Sequence, residues 1–183
     1  MKRACLSTMY GVGLVRIGPG TAGSFVAMLL AYPILKLPLG YAWLTLGALI
    51  FTLLGTINAN KFMRDRNTTH DPQEIVIDEL IGQWLTYTVC CGWLYALAGT
   101  ALAAKTLIIE VATSPLYIGL GFLLFRFFDI LKPWPISWAD RHIKCGFGVM
   151  FDDILAAIPA GTVLFMIHLF SPMLTGTPLE VMP

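Results

Sequence analysis

Five carboxylates stand at the ends of apolar runs in this chain: Asp78 and Glu79, Asp129, and Asp152 with Asp153. An acid at the edge of an apolar helix is costly to dehydrate unless it is paired or bound to a cation. Taken singly, each could be solvated at an interface or could complement a helix macrodipole, since acids favour helix N-termini. Together they form an all-oxygen donor set of the kind that suits Mg²⁺, which takes carboxylates alongside waters and phosphate oxygens. Two cations accompany them. Arg126 lies three residues before Asp129, on one face of a helix, and Lys132 follows three residues after it. These two could bind phosphate while Asp129 binds metal. The plainer alternative is an Arg–Asp pair at a helix end, with Lys132 snorkelling toward the headgroups.

A second candidate is the stretch Gly18-Pro19-Gly20-Thr21-Ala22-Gly23-Ser24. Glycines such as Gly20 and Gly23 let backbone amides approach an anion, and a helix start bearing Thr21 or Ser24 attracts phosphate. It is no Walker loop, because the Lys-Ser/Thr ending is missing. An ordinary glycine turn with a Thr or Ser cap accounts for it as well. Zinc chemistry has no support: His70, His142 and His168 are far apart in sequence, although His70 sits close to the first acid pair. His168 falls near the opposite face and reads as structural. The four cysteines show no CxxC spacing, and Cys90 and Cys91 read as small buried residues.

The elements that must hold these residues are membrane helices. Hydrophobic residues make up 57% of the 183 and charged ones 13%, about half the usual quarter for soluble domains. A formal net charge of +1 gives no footprint for nucleic acid, and no removable signal peptide is expected after Met1-Lys2-Arg3. Four stretches approach the ~20 apolar residues of a crossing: Tyr41 to Ile57, Leu80 to Leu97, Val111 to Phe128 and Ile154 to Phe170. A fifth, Phe25 to Leu37, contains Pro33 and Lys36 and reads either as a kinked span or as a re-entrant helix. The expected fold is therefore all-α, a polytopic helical bundle of four to five spans in a single membrane-embedded domain over residues 1–183.

With five spans and the N-terminus inside, the cytoplasmic segments hold Lys2, Arg3, Arg16, Lys61, Arg64, Arg66, Arg126, Lys132, Arg141 and Lys144. The other side holds Lys36 and Lys105, an asymmetry that fixes orientation. The same arrangement brings all five acids, and Asp140 in the connection between the last two spans, to the basic face. That convergence was no part of the orientation argument.

Three blocks of this sequence resemble the phosphatidylglycerophosphatase A family of bacterial membrane lipid phosphatases. The first is Gly20-Thr21-Ala22-Gly23-Ser24. The second is Ile75-Val76-Ile77-Asp78-Glu79-Leu80-Ile81-Gly82, with His70-Asp71 upstream. The third runs from Phe125-Arg126-Phe127-Phe128-Asp129 through Lys132-Pro133-Trp134-Pro135-Ile136 and Asp140-Arg141 to Gly146-Phe147-Gly148-Val149-Met150-Phe151-Asp152-Asp153. The likeness covers roughly residues 11–170. It implies Mg²⁺-dependent hydrolysis of the terminal phosphate of phosphatidylglycerophosphate at the cytoplasmic face of the bacterial inner membrane. Motifs of rival lipid-phosphate chemistries are missing: Ser-Gly-His, an early Asp-x-Asp, and the spaced Asp-Gly and Ala-Arg pattern of CDP-alcohol transferases.

On this reading Asp78, Glu79, Asp129, Asp152 and Asp153 hold one or two Mg²⁺ ions. Arg126 and Lys132 neutralise phosphoryl oxygens, assisted by Gly20, Thr21, Gly23 and Ser24 at a helix start. Asp129 and Asp153 are the expected catalytic acids. A carboxylate could act as general base toward water or attack directly to give an acyl phosphate. Another class is a small cation transporter, since intramembrane acids mark ion paths; against it, the centres of the long spans lack charge.

Overall fold

The computed structural model describes residues 6–67, 73–98, 108–109 and 114–175. The described residues hold helices and no strand, the expected all-α class. Lys2, Arg3, Cys5, His70, Asp71, Lys105 and the start of the fourth expected span at Val111 lie outside them. A tight helical segment, Leu6–Leu14, kinked at Met9, Tyr10 and Gly11, opens the described chain. It leads into α1 (Pro19–Leu35), α2 (Gly40–Asp65), α3 (Ile77–Leu97), α4 (Pro115–Leu131), the short α5 (Ile136–His142) and α6 (Gly146–Thr175).

The helix α3 is the hub. It packs most extensively on α6 and also on α1, α2 and α4, so it buries residues around its whole circumference, from Ile77 and Ile81 to Tyr87, Cys90 and Leu94. Hydrophobic residues all round a helix are what a central position demands. Close approach comes from small residues, as membrane packing favours. The buried stripe of α2 includes Ala48, Gly55 and Ala59, and a β-carbon at Gly55 would lie 3.0 Å from Met150 Sδ. Buried aromatic polar groups then bolt α3 to its neighbours. Trp84 Nε1 donates to the Ala27 carbonyl (3.0 Å) and Tyr87 OH to the Ile118 carbonyl (2.8 Å). Their rings stay apolar while the polar tips are satisfied.

The outer surface is apolar. Trp43, Leu49, Leu53 and Ile57 on α2, Leu116 and Leu123 on α4, and Ile158 and Phe170 on α6 are all exposed. Contiguous apolar surface on this scale is foreign to soluble monomers and suits lipid tails. By length and composition two helices can cross a bilayer, Gly40–Asp65 and Gly146–Ser171; a third crossing counts if the Leu6–Leu14 segment and α1, bent by 115°, form one broken span. The sequence suggested four to five. The difference has identifiable sources: α4 has 17 described residues, and α3 carries Asp78, Glu79 and Gln83 in its first turns while its sides are covered by other helices. That bend lies between Leu14 and Pro19, ahead of the segment Phe25 to Leu37 in which a kink or re-entry was expected, and most of that segment belongs to α1. Pro33 lies inside α1, which runs on to Leu35.

Candidate active site

The start of α1 is brought to the start of α3 by the chain before it. Val76 N–H donates to the Ser7 carbonyl at 2.8 Å, pinning the Leu6–Leu14 segment against the residues that lead into α3. Gly18 then caps α1 in the left-handed region (φ 60°), with no side-chain cap, and Pro19 occupies the first turn, where its missing N–H costs nothing. The Thr or Ser cap that the sequence allowed is not made, because a left-handed glycine holds that position. Gly20 presses on α3: a β-carbon there would overlap Glu79 Oε1 and lie 3.3 Å from Arg126 Nη2. Gly23 packs on Val76 less tightly, with a β-carbon there 3.0 Å from Val76 Cβ. Ser24 is buried; its hydroxyl donates to the Gly20 carbonyl at 3.0 Å and accepts a long bond from Arg126 Nη1 at 3.5 Å. Thr21 is exposed.

Asp78 and Glu79 occupy the first turn of α3, and the Glu79 backbone N–H donates to Asp78 Oδ1 at 3.1 Å. One turn on, Gly82 lets α4 and α6 close in. A β-carbon there would collide with the Phe125 ring and lie 3.1 Å from Asp153 Cβ. Asp153 is thereby brought to the first acid pair, and ligand oxygens of Asp78, Glu79 and Asp153 lie within 4.8 Å of one another. The helix that carries Asp153 is itself anchored: Gly146 N–H donates to Asn60 Oδ1 at 2.7 Å, seating the start of α6 on α2.

Arg126 and Asp129 form an ion pair one turn apart at the end of α4. The helix stops at Leu131, and Lys132 adopts a left-handed conformation (φ 42°, ψ 58°). Pro133 accounts for the break, since it excludes helical geometry from the residue before it. The turn swings Lys132 inward. Its ammonium lies 2.8 Å from Asp140 Oδ1 and 2.6 Å from Asp152 Oδ2, rather than extending to the headgroups. Burial works against the charge on Lys132, but Asp152 and Asp140 outweigh it and hold its pKa above the ordinary lysine value.

All five acids, Arg126, Lys132 and Gly20 line one cavity of about 440 Å³. Within it the acids divide. Asp78, Glu79 and Asp153 form the carboxylate group, while Asp129 and Asp152 are each held by a cation. Glu79 Oε2, Asp152 Oδ1 and Asp153 Oδ2 are buried and, among the described residues, accept no hydrogen bond. Buried carboxylate oxygens are costly to leave unsatisfied, so this donor set fits a hard cation, which prefers oxygen ligands. Of the expected phosphate-binding residues, Gly20, Arg126 and Lys132 line the cavity; Thr21, Gly23 and Ser24 do not.

Sequence reasoning gave no site role to Arg16 or Gln73, which also line the cavity, nor to Asn60. Gly82 was visible only as part of a motif. His168 is buried and stands edge-on to Tyr117, some 20 Å along α6 from Asp153 at 1.5 Å per residue. Cys90 and Cys91 are buried free thiols.

Comparison with known proteins shows the family. The chain is 36% identical over 165 residues to phosphatidylglycerophosphatase A of Haemophilus influenzae, covering 89% of this chain and 86% of that protein. It is 32% identical over 162 residues to phosphatidylglycerophosphatase A of Escherichia coli, covering 88% and 81%. A putative phosphatidylinositol-3-phosphatase of Bacteroides thetaiotaomicron is 30% identical over 159 residues, covering 84% and 85%. No solved structure matches significantly. The family model described as phosphatidylglycerophosphatase A matches residues 5–168, which takes in every acid and cation of the cavity. The chain belongs to the phosphatidylglycerophosphatase A family.

Proposed function

We propose that this protein is a Mg²⁺-dependent lipid phosphatase that converts phosphatidylglycerophosphate to phosphatidylglycerol and inorganic phosphate, working from the cytoplasmic face of the bacterial inner membrane. The observation that carries the reading is the meeting of three carboxylates with Arg126 and Lys132 in one cavity of a helical protein with apolar outer faces. Family membership supplies the lipid.

Asp78, Glu79 and Asp153 would hold the metal, with Asp129 and Asp152 beside them. Bound there, Mg²⁺ would supply Lewis-acid polarisation of the phosphoryl oxygens and a lowered pKa for water. Arg126, with a buried Nε that has no hydrogen-bond partner among the described residues, offers donors to the non-bridging oxygens, and Lys132 adds a second positive charge. A carboxylate of the group takes a proton from the attacking water. The new P–O bond forms as the bond to the glycerol oxygen breaks, and that oxygen leaves as the alcohol once protonated. The acyl chains stay among lipid tails while the head group reaches the charged cavity.

A cation transporter would also use interfacial acids, but it gives no role to cations placed among them. Phosphate release from phosphatidylglycerophosphate by purified protein, with and without Mg²⁺, tests the reading. Release that persists in excess EDTA would remove the metal. Turnover of phosphatidylinositol 3-phosphate in preference would move the activity to the specificity named for the Bacteroides relative.

A further inference from the structure

Three cations line the cavity, and two are already answered by carboxylates: Arg126 by Asp129, and Lys132 by Asp140 and Asp152. The third is Arg16. It lines the same cavity, is exposed, and makes no ion pair or hydrogen bond among the described residues. It sits at the mouth, in the turn that feeds α1 and four residues ahead of Gly20, whose Cα packs on Glu79.

That mouth is framed by apolar side chains. Ile17, next to Arg16, is 89% exposed, and Ile130, itself a lining residue, is 68% exposed. Isolated apolar groups beside an unpaired guanidinium suit an amphiphile whose charged part enters while its tails stay outside. The cavity volume also exceeds what one phosphate fills, and falls in the range of sites that take whole small ligands.

Resting on the reading above, we infer that Arg16 binds the phosphodiester of the lipid, the phosphate that is not hydrolysed, and so selects head groups that carry two phosphates. The inner cations sit beside the acids, where a terminal monoester would react. A diester on the same glycerol unit then falls toward the mouth, where Arg16 is the cation left over. A planar guanidinium can grip two non-bridging oxygens at once, which an ammonium cannot.

The test uses the full chain in neutral-detergent micelles that contain phosphatidylglycerophosphate as the sole anionic lipid, so that contact with bulk anionic lipid cannot contribute. Arg16→Gln should raise KM about tenfold, the scale of one lost charge-assisted hydrogen bond at an exposed position, with kcat changed less than about twofold, as expected when binding is lost equally from ground and transition states. Arg16→Lys should fall between. The inhibition constant of inorganic phosphate, which fills only the inner position, should stay at the wild-type value. An unchanged KM, a loss confined to kcat, or an inhibition constant that rises in step with KM would each overturn the assignment. Wild-type protein that releases no phosphate at all would instead refute the proposed function.

Discussion

Gly20 and Glu79 are in direct contact: the backbone at the start of α1 lies where any side chain would displace the Glu79 carboxylate. Because Arg126 Nη2 lies 3.3 Å from the same point, a single added methyl would disturb both the carboxylate group and its neighbouring cation. Gly20→Ala should therefore lower phosphate release by at least ~100-fold, as misplacement in a tight site does. Thermal stability should fall only by the ~1–3 kcal/mol of an overpacked contact. Parallel turnover and unfolding measurements check this, and full activity would show that the contact is yielding.

The metal is tested at Asp153 and Asp129. Asp153→Asn keeps shape but removes a charge from the group that it forms with Asp78 and Glu79. Turnover should drop at least ~100-fold and the Mg²⁺ concentration for half-maximal rate should rise, the usual cost at a metal site. Asp129→Asn should lower turnover with a smaller shift in Mg²⁺ dependence, since that acid is held by Arg126. EDTA should abolish wild-type activity, and added Mg²⁺ should restore it.

How much of this was legible in the sequence depends on what sets each feature. Local rules located the break after Leu131, because Pro133 acts on its immediate neighbour, and the Arg126–Asp129 pair, because helical spacing alone makes it. The convergence of the acids followed from span order. The division of those acids did not, since it depends on which helices touch at Gly82 and Gly20, and no short-range pattern encodes that. The same holds for Asn60, whose bond to Gly146 spans 86 residues, and for Arg16, an unremarkable cation until the fold places it on the cavity. The phosphate role expected for Thr21 rested on its place in a glycine-rich helix start, and the residue is exposed.

Orientation is a separate matter. Lys and Arg segregate ten to two in the topology expected from sequence. Engineered cysteines within residues 58–74 and 132–150, on a cysteine-free background, should resist an impermeant maleimide applied outside intact cells. Ready labelling in either range would reverse the assigned face.

Arg126→Gln should slow turnover by ~2–4 kcal/mol of barrier, the scale of one lost electrostatic contact in a transition state, with little loss of stability because Asp129 retains some contact with solvent. A cation carrier predicts the opposite sign, since removing a positive charge beside its acids would ease metal entry. Lys132→Gln should behave differently in one respect. Its ammonium is the ion-pair partner of Asp152 among the described residues, and Asp152 is only 5% exposed. Removing the lysine leaves a buried carboxylate uncompensated, which is more damaging than loss of the pair as a whole. Lys132→Gln should thus lose both activity and thermal stability. Adding Asp152→Asn removes the stranded charge, so the double variant should recover much of the lost stability while staying slow. Measured as a cycle of four proteins, stability should show strong coupling, and activity should remain depressed in all three variants. If the double variant is no more stable than Lys132→Gln alone, the pair does not hold this end of α6 in place.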